Sequence, residues 1–331
     1  MIALLFLFGQ ELPWQLISLE RPVSLRGLAA VDGRRAWVAG SSGTIAFTTT
    51  AGRNWEFFDI PDAEQLDFRD LELAGKSLYA LAAGPGSASR IYATSDEGER
   101  WRQQFTGKDE ALFLDALAFW DEHNGVALGD PINGQFQLLA TENGGSTWLQ
   151  RPTASLPAAL AGEAAFAASG SCLVAAGSSD LYLVTGGTAA RILHSADRGQ
   201  SWHLLHRLET FAGSPSRGFF SLAIGEGLLL AVGGDYAAPA TTGLHASISR
   251  DQGANWLALD RPWPYLSSAA LYGNPPLIAL SGSESSHLSR DGGKTWATHE
   301  ELGFHTVRFA ADGSLWGVGA GGLVARLARQ D

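Results

Sequence analysis

The sequence predicts an all-β fold, a seven-bladed β-propeller of four-stranded antiparallel blades. Two observations carry the prediction: an octet of fixed pattern recurs along the chain, and the last repeat lacks one strand while the N-terminus has one to spare. The octet reads Ser/Thr-x-Asp/Asn-x-Gly-x-x-Trp. It occurs as TSDEGERW (Thr94 to Trp101), TENGGSTW (Thr141 to Trp148), SADRGQSW (Ser195 to Trp202), SRDQGANW (Ser249 to Trp256) and SRDGGKTW (Ser289 to Trp296), with a degenerate copy, TTTAGRNW, from Thr48 to Trp55. Successive tryptophans are 46, 47, 54, 54 and 40 residues apart, the length of one four-stranded blade.

Within a repeat the strands are read directly. The first gives LRGLAAV, RAWVAG, GTIAFTT and, after the octet, NWEFFDI; the third gives LFLDALAFW, NGVALGD, QFQLLAT and TWLQRP. After the sixth octet, FHTVRFAADGSLWGVGAGGLVARLA repeats three strands and then the chain stops. The missing strand is PWQLISL, Pro13 to Leu19, whose Trp14 precedes Trp55 by 41 residues. Closing the ring with that strand leaves no open sheet edge to pair with another chain.

The octet lies between the third and fourth strands, where it suits a hairpin turn. The side-chain oxygens of Asp96, Asn143, Asp197, Asp251 and Asp291 are placed to accept turn N–H groups, and the following glycine takes φ > 0. Trp101, Trp148, Trp202, Trp256 and Trp296 open the next strand with a large apolar face. SRDGGKTW is no phosphate loop, because Leu288 stands where that motif needs another glycine. GVGAGG (Gly317 to Gly322) has only nine residues after it and no βαβ unit around it, so it is no dinucleotide fingerprint. No metal or cofactor motif occurs, and none is expected.

A net charge of −11 disfavours nucleic acid and anionic membrane surfaces as partners. The single Cys172 sits in an apolar run and reads as a buried hydrophobe. Ile2 to Phe8 is apolar, too short to span a bilayer, and similar to the core of an export signal, although a basic start and a small-x-small cleavage site are missing. The expected organisation is a leader at 1–10 and one propeller at 11–331, monomeric and exported to the periplasm or beyond the cell.

If the octets mark the bottom of the ring, the starts of the innermost strands and the loops between second and third strands share the top. The innermost strands read as small and apolar (GLAAV, DALAF, AAFAAS, FSLAI, SSAAL), yet Arg26, Arg69 with Asp70, Asp115, Glu163, Arg217 and His305 stand at their starts. The top loops add Asp130, Asp180, Tyr182, Arg191, Asp235, Tyr236, Glu284 and His287. Charges gathered there either pair with one another or meet a ligand.

The octet is similar to the Asp-box, or bacterial neuraminidase repeat, and AWVAGSSGTIAFTTTAGRNW resembles the photosystem II stability and assembly factor-like propellers. That resemblance implies a seven-bladed, non-catalytic propeller that binds a protein partner during assembly; some similar bacterial proteins carry an oxidoreductase label, for which this sequence offers no support. The rival reading is an exported sialidase-like glycosidase acting on an anionic carbohydrate. There Arg26, Arg69 and Arg217 would grip a carboxylate, and Tyr236 or Tyr182 would be the nucleophile beside Asp235, Asp115 or Glu163. The Arg-Ile-Pro motif of those enzymes is absent. A binding propeller is therefore the first reading, with a protein or small anionic ligand on the top face.

Overall fold

The computed structural model describes residues 12–152, 155–208 and 213–329; the leader expected at 1–10 lies outside them. The innermost strands are Leu25–Ala30, Phe68–Ala74, Leu114–Phe119, Leu173–Ala176, Arg217–Gly225, Ser268–Tyr272 and Thr306–Phe309. Each touches the next, and the last touches the first, so the ring closes at seven. Outward from each run three further strands, as in Ala36–Gly40, Ile45–Thr48 and Glu56–Phe57 of the first blade. In the seventh blade the fourth strand is Gln15–Ser18, antiparallel to Leu323–Leu327 with Gln15 opposite Arg326 and Ser18 opposite Leu323.

The octets form the turns expected of them. In the sixth blade Asp291 Oδ1 accepts the N–H groups of Lys294 (3.0 Å) and Thr295 (2.9 Å), and Ser289 Oγ accepts the N–H of Gly293 at 2.8 Å. In the degenerate first copy Thr50 Oγ1 takes the aspartate's place and accepts Asn54 N–H at 2.9 Å. These bonds hold the octet carboxylates below their ordinary range; Asp197, bonded chiefly by Ser201, is held at about 2. The glycine is required at Gly98, where φ is +94° and a Cβ would stand 2.4 Å from the Phe58 ring.

Each octet tryptophan packs between its own blade and the one before it. Trp148 joins the cluster shared by the second and third blades, and Trp296 packs against the fifth, edge-on to Trp263 with centroids 4.8 Å apart. Trp14 does the same between the sixth and seventh, 4.7 Å from Phe304, with its Nε1–H donated to Ser286 Oγ. The inter-blade cores thus hang on one large ring per junction.

The fourth blade departs from the sequence reading. AAFAAS is not its innermost strand; Leu173–Ala176 is, because that segment pairs directly with the hairpin partner Asp180–Val184, while Gly170 at φ +72° turns the chain beforehand. Asp180 and Tyr182 accordingly lie on the second strand rather than in a top loop. Tyr182 is buried and stacked on His194 (4.3 Å), so it is no top-face nucleophile. His287 likewise lies within a strand of the sixth blade, bonded to Ser285 and Thr298.

Trp202 is buried and donates Nε1–H to Gly199 O at 3.1 Å. Trp202→Ala is expected to cost on the order of 3–5 kcal/mol in denaturant melts.

Candidate functional site at the axial mouth

Four of the innermost strands carry the same irregularity near their start. The register slips by one residue between Leu25 and Gly27, Phe68 and Asp70, Leu114 and Ala116, and Phe219 and Ser221. The residue left over in each case is Arg26, Arg69, Asp115 or Phe220. A bulge re-aims its extra residue, and all four line one cavity of about 530 Å³ at the top of the axis. Asp130, Tyr236 and His305 complete its polar lining, and Phe113, Phe166 and Tyr265 add aromatic walls. Sequence reasoning found the charged members because they interrupt apolar strands.

The charges do not form a ring of mutual salt bridges. Arg69 pairs with Asp67 at 2.8 Å, which the sequence reading passed over. Arg26 is mostly enclosed; burial, with Arg69 nearby, lowers its pKa. His305 donates Nδ1–H to Leu25 O at 3.0 Å, and burial and then Arg26 push it down to about 4, so the ring is neutral at pH 7. Burial raises Asp115 well above the carboxylate range, with the like charge of Asp130 adding to it, and burial raises Asp130 to about 6. Asp70, one step deeper, accepts Leu117 N–H at 2.7 Å and is also raised by burial.

Four other expected members stand apart. Glu163 and Arg191 form a buried bidentate pair, with Nη2 at 2.6 Å and Nε at 2.7 Å from the two carboxylate oxygens, and Thr185 donates to the same carboxylate. Arg217 faces Asp235 at 3.8 Å and does not line the cavity, so a grip by Arg26, Arg69 and Arg217 together is not assembled. Tyr236 is 52% exposed on the rim, edge-on to Phe166 and Phe220.

The partners of the axial charges are main-chain groups of residues 165–169. The connection from the third blade to the fourth runs through 151–172, against 58–67 and 107–113 for its two predecessors. It crosses the mouth. Asp130 Oδ1 accepts Ala165 N–H at 2.9 Å and Asp115 accepts Ala167 N–H. Arg69, Arg26 and Arg308 donate to the carbonyls of Ala167 (3.4 Å), Ala168 (3.3 Å) and Ser169 (2.8 Å). Arg308, on the seventh innermost strand, was missed although it too interrupts an apolar run, as does Glu72 of the second blade. Both line a smaller axial cavity of about 280 Å³ bordered by Gly170 and Ser171. Among the described residues no group of His, Cys, Asp or Glu is placed to hold a metal ion, and no helix is long and apolar enough to cross a membrane.

This architecture defines a seven-bladed propeller whose axial charges bond main-chain groups of its own residues 165–169. No family model matches the chain, and no curated protein matches it. Solved structures do. One described as YCF48 bound to D1 peptide is 16% identical with a TM-score of 0.66, over 97% of this chain and 98% of the other. YCF48 from Cyanidioschyzon merolae is 13% identical with a TM-score of 0.67, over 95% and 98%. A streptogramin B lyase structure has the same identity and TM-score over 95% and 96%. At such identities the likeness is one of fold, shared by a lyase and by a protein bound to a peptide alike.

Two measurements test the electrostatics. Asp130, Asp115 and Asp70 hold protons more tightly folded than unfolded, so their contribution is fully present below the ordinary carboxylate range and is lost as pH rises through their raised values. The octet aspartates act oppositely and lose theirs below about pH 4. The stability that urea melts assign to Asp130, wild type minus Asp130→Asn, should therefore be higher near pH 5 than near pH 8. Glu163→Gln strands the Arg191 charge and should cost about 3–5 kcal/mol, most of it recovered when Arg191→Met is added.

Proposed function

We propose that this protein is a non-catalytic binding propeller of the assembly-factor type that holds a short segment of a protein partner at the axial mouth. The observation that carries the reading is the bonding pattern there: guanidinium groups donate to peptide carbonyls and carboxylates accept peptide N–H groups. Such a site reads backbone rather than a particular small molecule. The similarity to a propeller described as bound to a peptide supports it. So does the engagement of the acids that a glycosidase would need free, since Glu163 is clamped by Arg191, Asp115 accepts an amide, and Asp235 accepts Ala237 N–H and faces Arg217. The octets we take to be Asp-boxes with a structural task, and the apolar run Ile2 to Phe8 supports an exported setting.

Selection of a random peptide library on the immobilised protein should recover ligands whose binding is lost in the Arg26→Ala/Arg69→Ala double variant and kept in Asp291→Ala. Recovery of no such ligand, or turnover of a sialoside or other glycoside that Tyr236→Phe abolishes, would overturn the reading.

A further inference from the structure

We propose that residues 164–170 are a displaceable strap, the resident occupant of the axial site, holding the main-chain positions that an incoming peptide takes. The inference rests on the reading of the mouth as a peptide site and deepens it by naming what fills that site at rest and what the ligand resembles.

The strap is bonded as a ligand is, through its backbone. Four of its seven residues, Ala164, Ala165, Ala167 and Ala168, bring only methyl groups. Two amides and three carbonyls of the segment are taken by side chains from the second, third, first and seventh blades. Two side chains contribute: Phe166 stacks on Phe220 with centroids 4.2 Å apart, and Ser169 Oγ donates to Ser267 O at 2.9 Å. The segment is turned at 167–168, where Ala168 N–H bonds Phe166 O at 2.8 Å, and a short segment of small residues carrying one aromatic that takes the same turn presents the same groups. The ligand class is thus a peptide of small–aromatic–small pattern, read by its main chain.

Apart from Ala164, whose two-residue strand extends the fifth blade's sheet through Gly186–Gly187, the strap stands outside the strands of the ring. All seven blades keep four strands without it, since the fourth begins at Leu173. Its ends are marked by left-handed glycines, Gly162 at φ +76° and Gly170 at φ +72°, and a Cβ at Gly170 would fall within 2 Å of the Asp70 carboxylate. Upstream it is pinned by the buried Glu163–Arg191 pair and by two-residue pairing of Glu163–Ala164 with Gly186–Gly187. Downstream it is pinned by the hydroxyl chain Ser169, Ser171 and Ser221, each link 2.7 Å. Between these pins the segment lines the upper cavity with residues 164–168 and the axial cavity with Gly170. Lifting it joins the two and frees Arg26, Arg69 and Arg308 to bond another chain.

Two experiments decide. In native-state hydrogen exchange, the amides of Ala165 and Ala167 should exchange through an opening that leaves Leu117 and the strand Leu173–Ala176 protected. Exchange of all of them with one rate and one denaturant dependence would make the strap a fixed part of the core and end the proposal. Next, residues 164–169 are replaced by a Gly-Ser linker of equal length, and the capped synthetic peptide EAAFAASG, this chain's own 163–170, is added in trans. It should bind the linker variant at least about tenfold more tightly than the intact protein, because the strap's own occupancy no longer competes. Adding Arg26→Ala with Arg69→Ala should remove that binding. Equal binding to both forms, or none to a linker variant that melts cooperatively, overturns the proposal; if that variant does not fold, the exchange result stands alone. Binding of the strap peptide alongside a failed library selection would uphold the strap and withdraw the partner reading, and the reverse pair of results would do the opposite.

Discussion

Ionised groups placed near the axis of a closed ring of strands have little water to solvate them, and each must find a partner. That requirement organises the upper half of this molecule. The bulges put Arg26, Arg69 and Asp115 where seven strands converge; Arg69 has Asp67 beside it, and burial favours the neutral form of Asp115. The partners supplied are peptide groups of 165–169, which offer donors and acceptors in alternation and carry no net charge. The long connection between the third and fourth blades, the positive-φ glycines around it and the Glu163–Arg191 clamp all follow from bringing a stretch of backbone to that place.

The lower half is built differently. There the polar side chains are spent locally, on turns of eight residues that close on themselves and project one indole into the adjoining blade junction. Nothing about those turns depends on the axis. The two ends of the ring therefore divide the work: the bottom fixes blade geometry through short-range bonds, and the top holds groups whose bonding is long-range in sequence.

The same division explains what could be read in advance. The octets, the strands and the closure by Pro13 to Leu19 were legible because they rest on local chemistry and a fixed repeat length. Arg26, Arg69, Asp115 and His305 were legible as polar residues at the starts of apolar strands, although the first three were not legible as residues of bulges. The strap was mistaken for a strand because AAFAAS has the small, apolar composition that crowding demands of an innermost strand; composition does not record which segment has a hairpin partner. That misplacement carried Asp180 and Tyr182 to the wrong end of the fourth blade. Glu72 and Arg308 escaped notice because one charge in the middle of a strand carries no sign of which face it occupies.

Pairing of Gln15–Ser18 with Leu323–Leu327 sets the order of events in the life of the chain. The strands on either side of that seam also share the mouth: His305 donates to Leu25 O, and Thr306 bonds Arg26 O. Arg26 is thus seated by residues made some 280 positions later. A nascent chain therefore carries most of its blades before the residues that seat Arg26 have been made, and the axial end is complete only when the first and last strands meet.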